Sequence, residues 1–414
     1  MLDEKIYYSD KNIKYVFSKG NETVNKLIVI FSGYAAKDST LKHRYNYVNI
    51  LKDVNVHKLF ILDDNGETGS YYFGNAMNFS VDSSVISLIL FKARELHINL
   101  ENIITLGSSK GGSAALYFGL KYKLGAVFAG AFQTKIADLI EMRRPESEIY
   151  LLGPKDNPDY KHRYEQLNSV MFNLLKSPIV SNLYLISSEN DWQYQIHVKP
   201  FVDKLKELDI SFDFNLSNEM QNHSEISIYF PIYFKSKLIE ELFNIYIKNM
   251  NLELMKDTFK VYENSYNHSK NSFLLKYDYR INNTRTTFSP NTLVTPTIPG
   301  YYKFYYSVEN TFGDVVYQQI IGEKYYGLGI VSEPTIKLDL VSERLFCEVI
   351  THSTVELSYA FYIKENGSII DKIMYQKNNK IDFEIRTNAT YTIQYFIQTD
   401  SGHKIINNSN PFHT

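Results

Sequence analysis

The chain has 414 residues, a formal net charge of −2, 22% charged and 44% apolar side chains, and a single cysteine. That length exceeds one ordinary core and predicts two or three domains. The balanced charge gives no field for nucleic acid or an anionic membrane surface, and one cysteine excludes a disulfide framework and a multi-cysteine metal site. No apolar run reaches the length of a membrane span, and Met1-Leu-Asp-Glu-Lys5 has neither the basic nor the apolar stretch of a signal peptide, so the expectation is a cytoplasmic protein.

Strand and helix signals alternate through the first 250 residues. Leu27 to Phe31 is a continuous apolar run read as a buried strand, and Leu59 to Leu62 is a second. Residues 81 to 97 carry Val85, Ile86, Ile89, Leu90, Ala93 and Leu96 on one helical face. A strand at Ile103 to Leu106 precedes a helix from Lys110; further strands are expected at Ala126 to Ala129, Leu183 to Ser187 and Phe212 to Leu216. A helix near Ile196 to Leu208 separates the last two, and a final helix is expected to start near Pro231, a residue favoured at the first helical position, and to run to about Met250. The alternation implies an α/β fold with a doubly wound, mostly parallel sheet, whose reactive groups gather at the C-terminal strand ends. Residues 137 to 180 are too long for a connection and are read either as a cap over those ends or as a peripheral helical insertion.

After Met250 helical periodicity gives way to short aromatic alternations. Tyr302-Lys-Phe-Tyr-Tyr-Ser-Val308 and Tyr391-Thr-Ile-Gln-Tyr-Phe-Ile397 share a pattern and a following glycine, and Tyr277 to Ile281 pairs likewise with Tyr359 to Ile363. A tandem repeat of immunoglobulin-like modules of roughly 80 residues follows from this spacing. The expected division is 1–250, 251–330 and 331–414. Cys347 falls in the alternating run Leu345 to Ile350 and reads as a core thiol.

Gly107-Ser-Ser-Lys-Gly111 fits G-x-S-x-G in one register, with Ser109 at its centre. A strand before and a helix after make the match a nucleophile elbow, the alternative being a glycine-rich turn without chemistry. A serine nucleophile needs a base and the base an orienting acid, in the order serine, acid, histidine for this sheet type. Asp191 follows the strand ending at Ser187, with Glu189 a rival, and His223 is the one histidine of ten that follows a late strand in this way. His197 falls on the intervening helix and His162 in the insertion. The oxyanion donors are expected from the Lys110 N–H and from Tyr34 or Ala35 in the loop Ser32-Gly33-Tyr34-Ala35-Ala36, where Gly33 allows close approach. The loop from Asp63 through Asp64 to Tyr71 and Tyr72 lies at the same rim. Together with Trp192 it reads as a sugar-contacting surface or as a plain surface turn. No metal, phosphate-loop or nucleic-acid motif stands beside these residues.

The elbow, Asp191 and His223 make residues 25 to 250 resemble the α/β-hydrolase family. The glycine after the elbow and the Phe31-Ser-Gly-Tyr34 loop resemble a bacterial branch of capsule and accessory-secretion O-acetyltransferases, although the HGGG-type loop of common esterases is missing. The resemblance implies serine-dependent acyl transfer to a carbohydrate or glycoprotein acceptor, with acetyl-CoA as donor and no metal. Lys110, Arg143 and Arg144 would meet the donor's phosphates or remain solvated charges. The alternatives are a carbohydrate or peptide hydrolase, and an idle hydrolase fold acting in assembly through a protein partner bound by its C-terminal modules.

Overall fold

The continuous apolar runs form the middle of an eight-stranded sheet: β1 (Glu4–Tyr7), β2 (Ile13–Ser18), β3 (Leu27–Phe31), β4 (His57–Ile61), β5 (Ile103–Ser108), β6 (Ala126–Gly130), β7 (Asn182–Ser187) and β8 (Asp213–Leu216), in the order β1-β2-β4-β3-β5-β6-β7-β8. Every residue of β3, β4, β5 and β6 is buried, as strands covered on both faces must be. From β4 to β8 neighbours are parallel; β1 and β2 are antiparallel additions at one edge. That hairpin was not expected from the sequence, because β1 is largely exposed and carries no readable alternation. The structure is a computed structural model that describes residues 3–35, 42–255, 258–267, 272–281, 283–327, 329–330, 332–400 and 402–414.

Strand order reverses between β3 and β5, where Leu27 to Ile30 pair with Ile103 to Leu106. Such a switch point opens a crevice beyond the carboxyl ends of the two strands. The helices are α1 (Ser80–Glu95), α2 (Lys110–Lys121), α3 (Ile136–Arg143), α4 (Pro145–Leu152), α5 (Tyr160–Leu174), α6 (Lys199–Glu207) and α7 (Ile226–Phe243). The segment at 137–180 is thus three helices, with Pro145 in the first turn of α4. The last helix differs from its expected bounds. Asn222 caps a 3-10 turn at His223–Glu225 that runs into α7, so Pro231 lies inside the helix rather than at its start. It ends at Asn244, which takes a left-handed conformation, and the residues up to Met255 form a strand.

Contacts divide the described chain into two units, Met1–Tyr246 with Asn267–Phe273 and Asn310–Tyr317, and Ile247–Tyr266 with Leu274–Glu309 and Gln318–Thr414. The second consists of antiparallel sheets. The strands that follow α7 are β9 (Ile245–Met255), β10 (Thr258–Asn267), β11 (Phe273–Ile281), β12 (Thr284–Phe288), β13 (Leu293–Val294), β14 (Gly300–Asn310), β15 (Val315–Tyr326), β16 (Thr335–Val341), β17 (Arg344–Ile350), β18 (Leu357–Glu365), β19 (Ser368–Gln376), β20 (Lys380–Glu384), β21 (Thr390–Thr399) and β22 (Lys404–Asn408), with a short β23 (Phe412–His413) beside β21. Sheets β13-β10-β9 and β12-β11-β14-β15 recur as β16-β17-β20 and β19-β18-β21-β22, and the matching segments occupy equivalent central strands. Each repeat has its own core, one around Phe259, Tyr302 and Phe304, the other around Phe361, Tyr391 and Ile393. Tyr302 and Tyr391 sit at corresponding places and bond backbone upstream. The Tyr302 hydroxyl donates to the Ile298 carbonyl at 2.9 Å, and the Arg386 N–H donates to the Tyr391 hydroxyl at 2.9 Å. This corner contact is a device of β-sandwiches. Cys347 is buried in the second core.

The turn from β5 to α2 leaves no room for side chains. A Cβ on Gly107 would lie 2.2 Å from the Gly111 carbonyl oxygen, and one on Gly111 would lie 2.5 Å from that of Phe31. Gly107→Ala is therefore expected to destabilise the fold by about 1–3 kcal/mol, read as a lower midpoint in thermal or denaturant unfolding.

Candidate active site

Ser109 stands between β5 and α2 with φ 53° and ψ −126°, a backbone conformation that costs a non-glycine residue energy and persists only where packing enforces it. The enforcement is visible. The Ser109 N–H donates to the Gly130 carbonyl at the end of β6 at 2.8 Å, and the glycines of the turn lie against backbone. The preceding Ser108 is engaged elsewhere, its hydroxyl hydrogen-bonded to that of Tyr47.

Three strand ends converge on the Ser109 hydroxyl. His223 Nε2 lies 3.0 Å from Ser109 Oγ, and His223 Nδ1 lies 2.7 Å from Asp191 Oδ2. The Asp191 side chain is fully buried, and its second oxygen accepts the Gln193 N–H at 2.9 Å. With Nδ1–H donating to Asp191, Nε2 is free to accept the serine proton. Glu189, the rival acid, is exposed, and so is His162 on α5. His197 lies in a π-helical turn, where its Nδ1 accepts the Lys135 N–H at 3.3 Å and burial pushes its pKa down to about 4. It is a structural histidine.

Gln133 was not expected from the sequence, since no motif marks it. It follows β6, and its Nε2 donates to Ser109 Oγ at 3.0 Å and to Gln193 Oε1 at 2.7 Å. Its Oε1 accepts from the hydroxyls of Ser113 at 3.1 Å and Tyr71 at 3.3 Å. Both amide hydrogens and the oxygen are thus used, which holds the amide in one orientation.

A cavity of about 550 Å³ opens above the serine. Gly33, Tyr34, Ala35, Trp192, Ser109 and His223 line it, as do Gln133 and three arginines. Gly33 donates its N–H to Asn46 Oδ1 at 2.9 Å, which leaves Tyr34 and Ala35 as the loop's oxyanion candidates; Ala36 lies outside the described residues. The Lys110 N–H, at the first position of α2, is outside the intrahelical ladder. Among the described residues no group of three or more His, Cys, Asp or Glu is placed to hold a metal ion. No helix among them is long and apolar enough to cross a membrane.

The second rim loop differs from its expected role. Asp63 is buried and paired with Lys110 Nζ at 2.7 Å, both side chains being at most 1% exposed. Asp63 also accepts the Ser70 N–H at 2.8 Å and the Ser70 hydroxyl at 2.9 Å. Gly69, at φ +109°, lets this loop close on the pair, since a Cβ there would meet Lys110 Nζ at 2.6 Å. Tyr71 and Tyr72 are buried, and Tyr72 accepts the Ser32 N–H at 2.7 Å. Asp64 pairs with Lys14 at 2.9 Å. Of this loop, then, Asp63, Tyr71 and Tyr72 support the site from beneath instead of facing a sugar, and the Lys110 ammonium meets a carboxylate rather than a phosphate. Burial pushes the Lys110 pKa down, and Asp63 partly restores it.

No family profile and no curated protein matches the sequence. Solved structures do. The capsule O-acetyltransferase of Neisseria meningitidis serogroup A matches with a TM-score of 0.50 and 24% identity over 57% of this chain and 94% of that one. A mutant of it in complex with CoA matches with a TM-score of 0.49 and 23% identity over 56% and 93%. A substrate-bound, fluorophosphonate-binding serine hydrolase of Staphylococcus aureus matches with a TM-score of 0.41 and 12% identity over 58% and 96%. At such identities the likeness is one of fold, and with the strand order it defines an α/β-hydrolase-like architecture followed by antiparallel β sheets.

Removing one member of a buried ion pair strands the other's charge, at a cost of about 3–5 kcal/mol, whereas replacing both with apolar groups is close to neutral. Asp63→Ala is expected to lose about that much stability in denaturant unfolding, and adding Lys110→Met to recover most of it.

Proposed function

We propose that this chain is a serine-dependent acyltransferase that moves an acetyl group to a hydroxyl of a bacterial surface glycan or glycoprotein. The observation that carries the reading is the relay from Ser109 Oγ to His223 Nε2 at 3.0 Å and from His223 Nδ1 to Asp191 at 2.7 Å, at the floor of a cavity. Ser109 Oγ forms a bond to the acetyl carbonyl carbon as its proton passes to His223 Nε2. The carbonyl electrons move to the oxygen, where the N–H groups of Lys110 and of Tyr34 or Ala35 receive the charge. Collapse breaks the bond to the donor's leaving group, which takes the proton from His223. An acceptor hydroxyl then gives its proton to His223 and attacks the acyl-serine, and as the acyl–Oγ bond breaks Ser109 Oγ takes that proton back from His223. Asp191 holds the imidazole in the required tautomer throughout.

Gln133 acts as a positioning residue. By donating to Ser109 Oγ it occupies an acceptor site on that oxygen and leaves the serine hydrogen directed at His223. Acetyl-CoA is the donor proposed for test, and a glycan or glycoprotein hydroxyl the acceptor. The C-terminal repeats are proposed to be immunoglobulin-like modules, 251–330 and 331–414, that bind the acceptor or a partner protein. Their paired sheets and tyrosine corners support that reading.

The test is turnover of a chromogenic acetyl ester together with the mass of the intact protein. Wild type is expected to turn over and to gain one acetyl group. Ser109→Ala should lose the adduct and at least about a thousandfold in rate while unfolding at an unchanged midpoint. An inert, unacetylated wild type would overturn the proposal and leave the assembly role. Gln133→Leu is expected to lower kcat roughly tenfold with little change in KM, the value of one lost hydrogen bond. A fall in stability alone, with kcat intact, would assign Gln133 to the fold instead.

A further inference from the structure

We infer that the cavity above Ser109 recognises a phosphate-bearing substrate through Arg44, Arg143 and Arg144, a proposal that rests on the acyl-transfer reading and names the chemistry it selects. All three arginines line the cavity, and no aspartate or glutamate does. Surface guanidiniums usually find a carboxylate. Among the described residues none of these three has an ion-pair or hydrogen-bonding side-chain partner, although acids lie near them in the chain. Of those acids, Glu141 is engaged with Lys155 at 2.7 Å, Glu148 with Tyr160 at 2.7 Å and Lys155 at 3.4 Å, and Asp138 with Tyr164 at 2.8 Å, while Glu146 is exposed and does not line the cavity. Asp191 is held by His223 and Asp63 by Lys110. Among the described residues that line it, the cavity therefore carries three guanidiniums and no carboxylate.

Two of the three are also pre-oriented. The Arg143 guanidinium lies 4.4 Å from the Trp192 ring centroid and the Arg144 guanidinium 4.5 Å from that of Tyr34. Stacking uses the face of a guanidinium and leaves its N–H edge to donate, the geometry that meets phosphate oxygens in pairs. Two such edges, with the Arg44 charge beside them, exceed what one carboxylate satisfies and suit a pyrophosphate or phosphodiester. The rest of the wall, with Leu139, Ile226 and Trp192, is apolar enough to receive an uncharged acyl arm. Two substrates supply this chemistry, a nucleotide-bearing thioester donor and an acceptor glycan with phosphodiester links.

The test compares charged and neutral forms on each side, using the full chain. On the donor side, acetyl-CoA is set against S-acetylpantetheine; on the acceptor side, a phosphodiester-linked oligosaccharide against a neutral one. One side is expected to favour the phosphorylated form at least tenfold in kcat/KM, and that ratio to collapse at least tenfold in Arg143→Gln/Arg144→Gln and in Arg44→Gln. Arg→Lys at the same positions should restore part of it, since lysine keeps the charge without the fork. Direct binding removes the dependence on turnover. On Ser109→Ala protein, adenosine 3′,5′-bisphosphate and a glycan phosphodiester are titrated calorimetrically, with adenosine and the neutral oligosaccharide as controls. Binding of one phosphorylated probe, weakened about tenfold by each arginine substitution and further by salt, supports the site. If wild type hydrolyses the chromogenic ester yet neither uses nor binds phosphorylated forms better than neutral ones, the arginine site is wrong and the acyl-transfer reading stands. If no ester is turned over but the phosphorylated probe binds through the arginines, the chemistry is wrong and the site stands.

Discussion

The site depends on one constraint, the turn at Ser109 being clamped between two strands. Gly107 and Gly111 meet with no room for a Cβ, Gly111 rests on the carbonyl of Phe31 at the end of β3, and the Ser109 N–H is tied to Gly130 at the end of β6. A residue at φ 53° does not hold itself there; it is held because release would break contacts on both sides. The same clamp sets what surrounds the hydroxyl. The loop after β3 and the residues after β6, Gln133 among them, reach Ser109 because their strands flank β5.

Charge is partitioned around that turn. Below it, Lys110 and Asp63 form a buried pair that joins the start of α2 to the loop after β4. Both partners are further tied into the structure, Asp63 by the Ser70 N–H and hydroxyl and Lys110 by the rings of Tyr34 and Tyr72, at 5.1 and 5.4 Å. Such a pair contributes little net stability, since desolvation offsets its attraction, but it admits one register between helix and loop. Lys110 thus offers its backbone N–H to the site while its side chain is committed beneath it.

What was legible in the sequence was local. Buried parallel strands are near-continuous apolar runs, so β3, β5, β6 and β7 could be read to within two residues of their ends. Ser109 and Asp191 each follow such a strand, His223 follows the short, half-buried β8, and a strand end is a place a linear pattern can mark. The features that escaped are those settled by partners far off in the chain. Asp63 in a loop looks like a solvent-facing acid until Lys110, 47 positions later, arrives against it. Gln133 carries no motif, and its role comes from four groups on other segments. The start of α7 was hidden because the residues from Ile226 onward are apolar on most sides, and Pro231 offered a false boundary; a proline near the beginning of a helix gives up a hydrogen bond that packing at Phe230 and Phe234 offsets.

The contrast between satisfied and unsatisfied polar groups argues where substrate contacts fall. Around Ser109 little is left open: Gln133 is fully bonded, Asp191 accepts on both oxygens, and His223 has a partner at each nitrogen. Such a network gives the hydroxyl one orientation, and a substrate gains nothing by competing for it. The guanidiniums of Arg44, Arg143 and Arg144 are in the opposite condition: they line the cavity, the last two stacked on rings, and no carboxylate is among its described lining residues. A ligand that supplies the missing negative charge displaces only water, while one that lacks it must leave the arginines hydrated and the cavity wet. In the acyl-transfer reading proposed above, water in that cavity is the competitor for the acyl-serine. An anionic substrate filling it would therefore both anchor itself and favour transfer over hydrolysis, which joins the electrostatics of the wall to the choice of reaction at its floor.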